Sequence, residues 1–153
     1  MSRFATLELD SFWWRASLMT LAACSALLVD LISKTVAVAI WPDALLFNVS
    51  EGSFLGPGAG VIVIAALCSL LACVLPVRLV AVGAGLALGG SLGNLTSRHW
   101  WSDLGGSPDF IRFSDGTTGN VADLAIAAGA GFMLLSTIVW LFWTTFGPTR
   151  GSA

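Results

Sequence analysis

Residues 121–146 have the sequence VADLAIAAGAGFMLLSTIVWLFWTTF, in which Asp123 is the single charged side chain. A helix needs about 20 mostly apolar residues to cross a bilayer, so this stretch predicts a transmembrane helix. Three more stretches have the same character, at residues 16–40, 60–75 and 79–95. The predicted fold is all-α: a bundle of four transmembrane helices, in one domain over residues 1–153, with small extracytoplasmic loops.

The composition of the whole chain agrees with a membrane protein. Hydrophobic residues make up 56% of the 153 residues and charged residues 10%, whereas soluble domains average about 45–50% and about 25%. The charges lie between the apolar blocks, which excludes a disordered chain, a disulfide scaffold and an ordinary soluble enzyme. The net charge of −2 leaves no basic footprint, so we expect no nucleic-acid partner.

The three cysteines, Cys24, Cys68 and Cys73, all lie inside apolar runs. This placement predicts neither a disulfide nor a metal site. Residues 21–24, Leu-Ala-Ala-Cys, have the form of a lipidation signal, but the apolar run continues after them. A cleaved signal peptide is normally followed by a polar chain, so we interpret Cys24 as a helix residue, with a lipidated Cys24 as the alternative.

The orientation of the bundle follows from its basic residues. Loops rich in Arg and Lys remain in the cytoplasm, and four arginines near the span ends fall on one side of the predicted bundle: Arg3, Arg15, Arg78 and Arg150. The two longer connections, Trp41–Ala59 and Thr96–Asn120, carry mostly acidic charges. Both termini are therefore predicted to be cytoplasmic, with the two polar loops outside.

Two acids lie within or beside the predicted spans. Asp30 and Lys34 are four residues apart and therefore share a helix face. Since a charge at the bilayer centre costs about 2.5–3.5 kcal/mol, we expect them to pair, either to orient the helix or to form the wall of a polar pocket.

Asp123 follows Asn120 at a helix start, where an acid is favoured as a cap. The small residues before Asn94 allow another helix to approach, and Asn94 can hydrogen-bond across that contact.

Five segments, taken in their order and spacing, match the pattern of one protein family: Asp30-Leu-Ile-Ser-Lys34, Gly52-Ser-Phe-Leu-Gly56, Gly89-Gly-Ser-Leu-Gly-Asn94-Leu-Thr-Ser97-Arg98, Asp109-Phe-Ile111 and Asn120-Val-Ala-Asp123. Together with the four-span layout, they resemble the lipoprotein signal peptidase family, also called signal peptidase II. That family cleaves the signal peptides of diacylglyceryl-modified lipoproteins with two aspartates at the outer membrane face. The resemblance implies binding or structural roles for Asp30, Lys34, Gly52, Asn94, Arg98, Asp109 and Asn120.

The resemblance matches Asp123 to one catalytic aspartate and Ser97 to the other. Two carboxylates can share a proton, so that one activates water and the other donates to the scissile carbonyl. A serine hydroxyl cannot take that role. The sequence departs from the family pattern at four further residues: Ser50, Ser107, Pro108 and Gly119. We therefore expect no catalytic residues, only the vestigial positions Asp123 and Ser97, and neither a metal nor a cofactor.

These observations predict a non-catalytic relative of the peptidase in the bacterial cytoplasmic (inner) membrane. It would act as an accessory or assembly subunit of an envelope complex, such as a lipid transporter, with membrane lipid and a membrane protein or lipoprotein as partners. The alternative is an active peptidase with an altered aspartyl site, in which Asp103 replaces the missing acid. A Ser97/His99 pair is disfavoured because the two side chains leave a helix end in different directions. A channel or transporter lacks a continuous polar path.

Overall fold

The computed structural model describes residues 3–48, 60, 63–64, 66–70, 72, 75 and 77–147. Three long helices dominate this part of the chain: α1 (Arg3–Ile40), α2 (Arg78–Trp100) and α3 (Val121–Phe146). All three are long and apolar enough to cross a membrane. The described residues therefore form a mostly helical, multi-pass membrane protein.

Helix α1 begins earlier than the predicted span. The sequence predicts a span from residue 16, but the helix starts at Arg3, and its apolar portion starts at Phe12. At about 1.5 Å per residue, a helix over residues 3–40 is roughly 57 Å long, well beyond a hydrocarbon core of about 30 Å. The first turns of α1 thus extend past the apolar layer, because hydropathy marks where a helix is apolar and not where it begins.

Helix α2 is the centre of the bundle. It packs against both α1 and α3, which contact each other much less, and it is the most buried of the three. The approach to α3 depends on two glycines: a Cβ atom on Gly83 would lie 2.7 Å from the Gly129 carbonyl oxygen. Small residues therefore let the backbones of α2 and α3 meet, as helix pairs in membranes require.

The C-terminal end of α2 corrects the predicted boundary. The sequence predicts a span at residues 79–95 followed by a loop from Thr96, but the helix continues to Trp100. Ser97 and Arg98 are consequently helical residues. The polar last turns stay helical because Ser97 lies fully buried and hydrogen-bonded at the end of the bundle.

The fourth predicted span, at residues 60–75, falls partly outside the described residues. Within it, residues 60, 63–64, 66–70 and 72 are helical. Cys68 and Ala72 pack with Ala81 and Ala84 of α2 in one buried apolar cluster. The full length of this span, the count of four helices and the orientation of the termini stay predictions.

Short strands cover one end of the bundle, a feature that the all-α prediction missed. Strand β1 (Leu46–Asn48) pairs antiparallel with β2 (Ser107–Asp109), and β3 (Ile111–Arg112) pairs antiparallel with β4 (Thr118–Gly119). Two 3₁₀ turns, Pro42–Ala44 and Ser102–Leu104, follow α1 and α2. Strands of two or three residues are too short to give an alternating pattern.

All seven tryptophans lie near the two ends of the bundle. Trp13 and Trp14 lie in the N-terminal part of α1 and Trp140 and Trp143 near the end of α3, while Trp41, Trp100 and Trp101 lie where α1 and α2 end, before the strands. Tryptophan concentrates at membrane–water interfaces. The strand-covered end, called the polar end below, and the end where α2 begins are therefore the two interfacial levels.

Candidate functional site

Asp30 and Lys34 form an ion pair in the interior of the bundle. Lys34 Nζ lies 2.7 Å from Asp30 Oδ2, and both side chains are fully buried. The i, i+4 spacing on α1 brings the two groups together, and the charges neutralise each other where water is excluded. The other oxygen of Asp30 accepts a hydrogen bond from the backbone N–H of Ala122 at 2.8 Å. Asp30 therefore joins α1 to the first turn of α3.

Lys34 connects α1 to the last turns of α2. Its ammonium group also donates to Asn94 Oδ1 at 2.8 Å and to Ser97 Oγ at 2.9 Å. An ammonium group has three protons and no acceptor, so these two bonds and the bond to Asp30 use its full hydrogen-bonding capacity. The buried charge is thus completely satisfied by side chains.

Ser97 is fully buried and has two partners. Its hydroxyl accepts from Lys34 and donates to the backbone carbonyl of Gly93 at 2.6 Å. Because the hydroxyl proton points to the Gly93 carbonyl and Lys34 is a donor, Ser97 and Lys34 are not arranged as a nucleophile and its base. Ser97 instead stabilises the buried ammonium group.

Asn94 bridges the buried lysine and Asp123. Its amide oxygen accepts from Lys34, and its amide nitrogen donates to Asp123 Oδ1 at 2.8 Å. Ser107 of β2 also donates to the Asn94 oxygen, at 3.3 Å. The cross-helix hydrogen bond expected of Asn94 therefore joins α2 to the start of α3.

Asp123 is part of a capping box at the start of α3. The backbone N–H of Asn120 donates to Asp123 Oδ2 at 2.9 Å, and the backbone N–H of Asp123 donates to Asn120 Oδ1 at 3.3 Å. Such reciprocal bonds satisfy N–H groups that a helix start leaves unpaired. Both oxygens of Asp123 consequently accept hydrogen bonds from neutral amides.

Asn120 also brings a second carboxylate into the network. Its amide nitrogen donates to Asp109 Oδ1 at 2.7 Å and to Ser107 Oγ at 3.4 Å. Asp109 and Asn120 are both buried. The short β2 strand thus places Ser107 and Asp109 against the start of α3, a contact that the sequence analysis did not identify for Ser107.

The remaining candidate residues lie outside this network. Asp103 is in the exposed 3₁₀ turn after α2, and His99 is exposed beside Trp100. Arg98 is half-buried, and its Nε atom lacks a hydrogen-bond partner among the described residues. Gly52 and Ser50 lie outside the residues that the structure describes. The acid that reaches the network from the loop is therefore Asp109 and not Asp103.

Within the described part of the chain, no group of three or more His, Cys, Asp or Glu residues could hold a metal ion. The network consists of three carboxylates, one ammonium group, two amides and two hydroxyls. Its members come from all three helices and from β2. It stabilises the junction of these elements, and it presents Asp123, the one half-exposed carboxylate of the three, toward the polar end.

Comparisons with known proteins agree with this architecture. The family model described as signal peptidase (SPase) II matches residues 21–139. A solved structure described as a bacterial membrane enzyme, determined by the in meso method, has a similar fold, with a TM-score of 0.64 at 18% identity. The match covers 90% of this chain and 95% of that chain. A search of curated proteins found no match.

Proposed function

Because the chain belongs to the signal peptidase II family, we propose that it is a non-catalytic member that binds lipoproteins in a membrane complex. The observation that carries the proposal is the environment of Ser97. This residue stands at the position that resembles a catalytic aspartate, and its buried hydroxyl is held by Lys34 and the Gly93 carbonyl. A hydroxyl so placed neither shares a proton with a carboxylate nor activates water.

The hydrogen bonds of Asp123 give this residue a structural role at the junction of α2 and α3. Its two oxygens accept from Asn94 and from the backbone N–H of Asn120. A carboxylate that serves as a helix cap and an amide acceptor has a structural role without any reaction. Gly119 fits this arrangement, because a Cβ atom there would lie 2.9 Å from Asp123 Oδ2.

The proposed partner follows from the family's substrate class. A member that keeps the fold and loses the acid pair retains a membrane-embedded surface for a diacylglyceryl-modified chain without cleaving it. We place this protein in the bacterial cytoplasmic membrane, as an accessory or assembly subunit of a complex that contains a lipoprotein or handles lipid. Its interior ion pair and capping network then serve to hold the binding surface in shape.

A defined binding experiment tests this proposal. The purified chain in mild detergent is mixed with a lipoprotein precursor, either carrying its diacylglyceryl group or lacking it. We expect the lipidated precursor to co-elute with the chain at unchanged mass and the unlipidated one to elute separately. If neither precursor forms a complex with the chain, lipoprotein binding is contradicted.

The accessory role needs a second measurement, on membranes of the native organism. After solubilisation in mild detergent, we expect the tagged chain to co-elute with one membrane protein or lipoprotein at constant stoichiometry. An untagged chain carried through the same steps is the control. Recovery of the tagged chain by itself would contradict the assembly role and leave the binding result standing.

One observation bears on the alternative of an altered aspartyl site. Asp109 and Asp123 both contact Asn120. The amide nitrogen of Asn120 donates to the carboxylate of Asp109. The backbone N–H of Asn120 donates to the carboxylate of Asp123, and the backbone N–H of Asp123 donates to the amide oxygen of Asn120. A working acid pair would have to share a proton directly or through one water. Since these two carboxylates are held by different atoms of Asn120, the geometry supports a structural bridge better than a proton-sharing pair.

A further inference from the structure

A groove opens between α2 and α3 at the end of the bundle opposite the polar end. Its volume is about 620 Å³, within the range of about 300–1,000 Å³ that is typical of small-molecule sites. It lies where α2 begins and α3 approaches its last turns, far from Asp123 at the first turn of α3. The described residues that form it include Arg78, Leu79, Leu135, Val139, Trp140 and Trp143.

The chemistry of the groove changes along its length. Its walls are almost entirely aliphatic and aromatic, and Arg78 is the charged residue among the described lining side chains. Arg78 is the first residue of α2 and is exposed. Among the residues whose side chains the structure describes, the recorded ion pair is Asp30–Lys34, and Arg78 is not part of it. A guanidinium group thus stands at one end of an apolar groove.

From this arrangement, we infer that the groove binds an anionic phospholipid. The guanidinium of Arg78 is suited to the phosphate group because its N–H donors match phosphate oxygens in pairs. Trp140 and Trp143 lie at the level of the headgroups, where indole rings are stable. The aliphatic wall then receives an acyl chain. Basic pockets between transmembrane helices are known to select anionic headgroups in this way.

The lipid site is independent of the proposed function at the polar end. It uses no residue of the Asp30–Lys34–Asn94–Asp123 network, and it applies equally to a cleaving and a non-cleaving protein. A lipid bound there would contact both the start of α2 and the last turns of α3, whose residues line the groove together.

Native mass spectrometry of the full chain tests the site with two lipids that have the same acyl chains, phosphatidylglycerol and phosphatidylcholine. We expect about a fivefold preference for phosphatidylglycerol, the effect of one basic residue near an anionic lipid. Arg78→Gln should abolish the preference and Arg78→Lys should keep most of it. Arg112→Gln, at the opposite end of the protein, is the matched control and should leave the preference unchanged.

A groove-filling variant tests the apolar wall. Leu135 is 62% exposed, so the larger side chain of Leu135→Trp fills part of the groove without disturbing the bundle interior, and it should reduce retention of both lipids. Equal binding of both lipids by the unaltered protein would overturn the inference. So would a preference that survives Arg78→Gln, or one that Arg112→Gln removes to the same extent.

Discussion

Replacement of Lys34 by methionine removes the central donor of the buried network and keeps much of the side-chain volume. Three hydrogen bonds are lost, to Asp30, Asn94 and Ser97. Asp30 keeps its bond to the Ala122 N–H, but its negative charge no longer has a counterion. We expect Lys34→Met to be among the most destabilising single substitutions in the protein.

The magnitude follows from two separate effects. Side-chain hydrogen bonds inside membrane proteins average about 0.6 kcal/mol, so three of them account for about 2 kcal/mol. Removal of one partner from a buried ion pair costs about 3–5 kcal/mol, because a charge is left uncompensated. The charge is thus the larger effect, and a variant that neutralises Asp30 as well should recover part of the loss.

The assay is the free energy of unfolding in mixed detergent micelles, measured for Lys34→Met, Asp30→Asn and the double variant. Asparagine at position 30 retains an oxygen for the Ala122 N–H. We expect a loss of about 3–5 kcal/mol for Lys34→Met and a smaller loss for the double variant. Leu28→Met, on the exposed face of α1, should change stability by less than about 0.5 kcal/mol.

A double-mutant cycle gives the coupling between the two residues directly. If the double variant is as unstable as the worse single variant, the two charges do not compensate each other. If Lys34→Met loses less than about 1 kcal/mol, well below the range for a broken buried pair, the charge reasoning fails as a whole.

Three other experiments test the packing, the cap and the topology. Gly93→Ala should destabilise the protein by about 1–3 kcal/mol, because the added Cβ would lie 2.5 Å from Asp30 Oδ2. Gly131→Ala is the control and should not destabilise it, because nothing lies within 4 Å of a Cβ there. Chemical unfolding of both variants measures the difference. Asn120→Ala should lose about 0.5–2 kcal/mol through the α3 cap, with α-helical circular dichroism retained below the unfolding transition. In a chain without native cysteines, an impermeant thiol reagent added to intact cells should label Cys introduced at Ser50 and not at Ser152, and the reverse labelling would invert the predicted orientation.

The helices could be predicted from the sequence to different degrees. The start of α3 could be placed accurately, because Asn120 and Asp123 have the spacing of a capping box. The end of α2 could not, because the apolar run ends near residue 95 while polar residues continue the helix to Trp100. Hydropathy reports transfer into lipid, and the last turn of α2 is stabilised instead by buried hydrogen bonds from Lys34.

The contacts of the site could likewise be predicted from the sequence only in part. The i, i+4 spacing of Asp30 and Lys34 predicts their pairing from local geometry alone. The bond from the Ala122 N–H to Asp30 joins residues 92 positions apart, and nothing in either local sequence indicates it. The hydrogen bonds of Ser107 could not be predicted for a related reason, since its position depends on a three-residue strand paired with residues 46–48. Contacts of this kind become visible only when the helices are assembled.

Cleavage of a diacylglyceryl-modified lipoprotein precursor by the purified protein decides whether this family member is catalytic. Intact precursor and product are separated by mass, and an active family member serves as the positive control. We expect no product from the unaltered chain, from Asp123→Asn or from Asp109→Asn. Ser97→Asp should also give none, because Ser50, Pro108 and Gly119 still depart from the family pattern. Product that forms with the unaltered chain and disappears with Asp123→Asn would contradict the account and establish Asp123 as a catalytic residue.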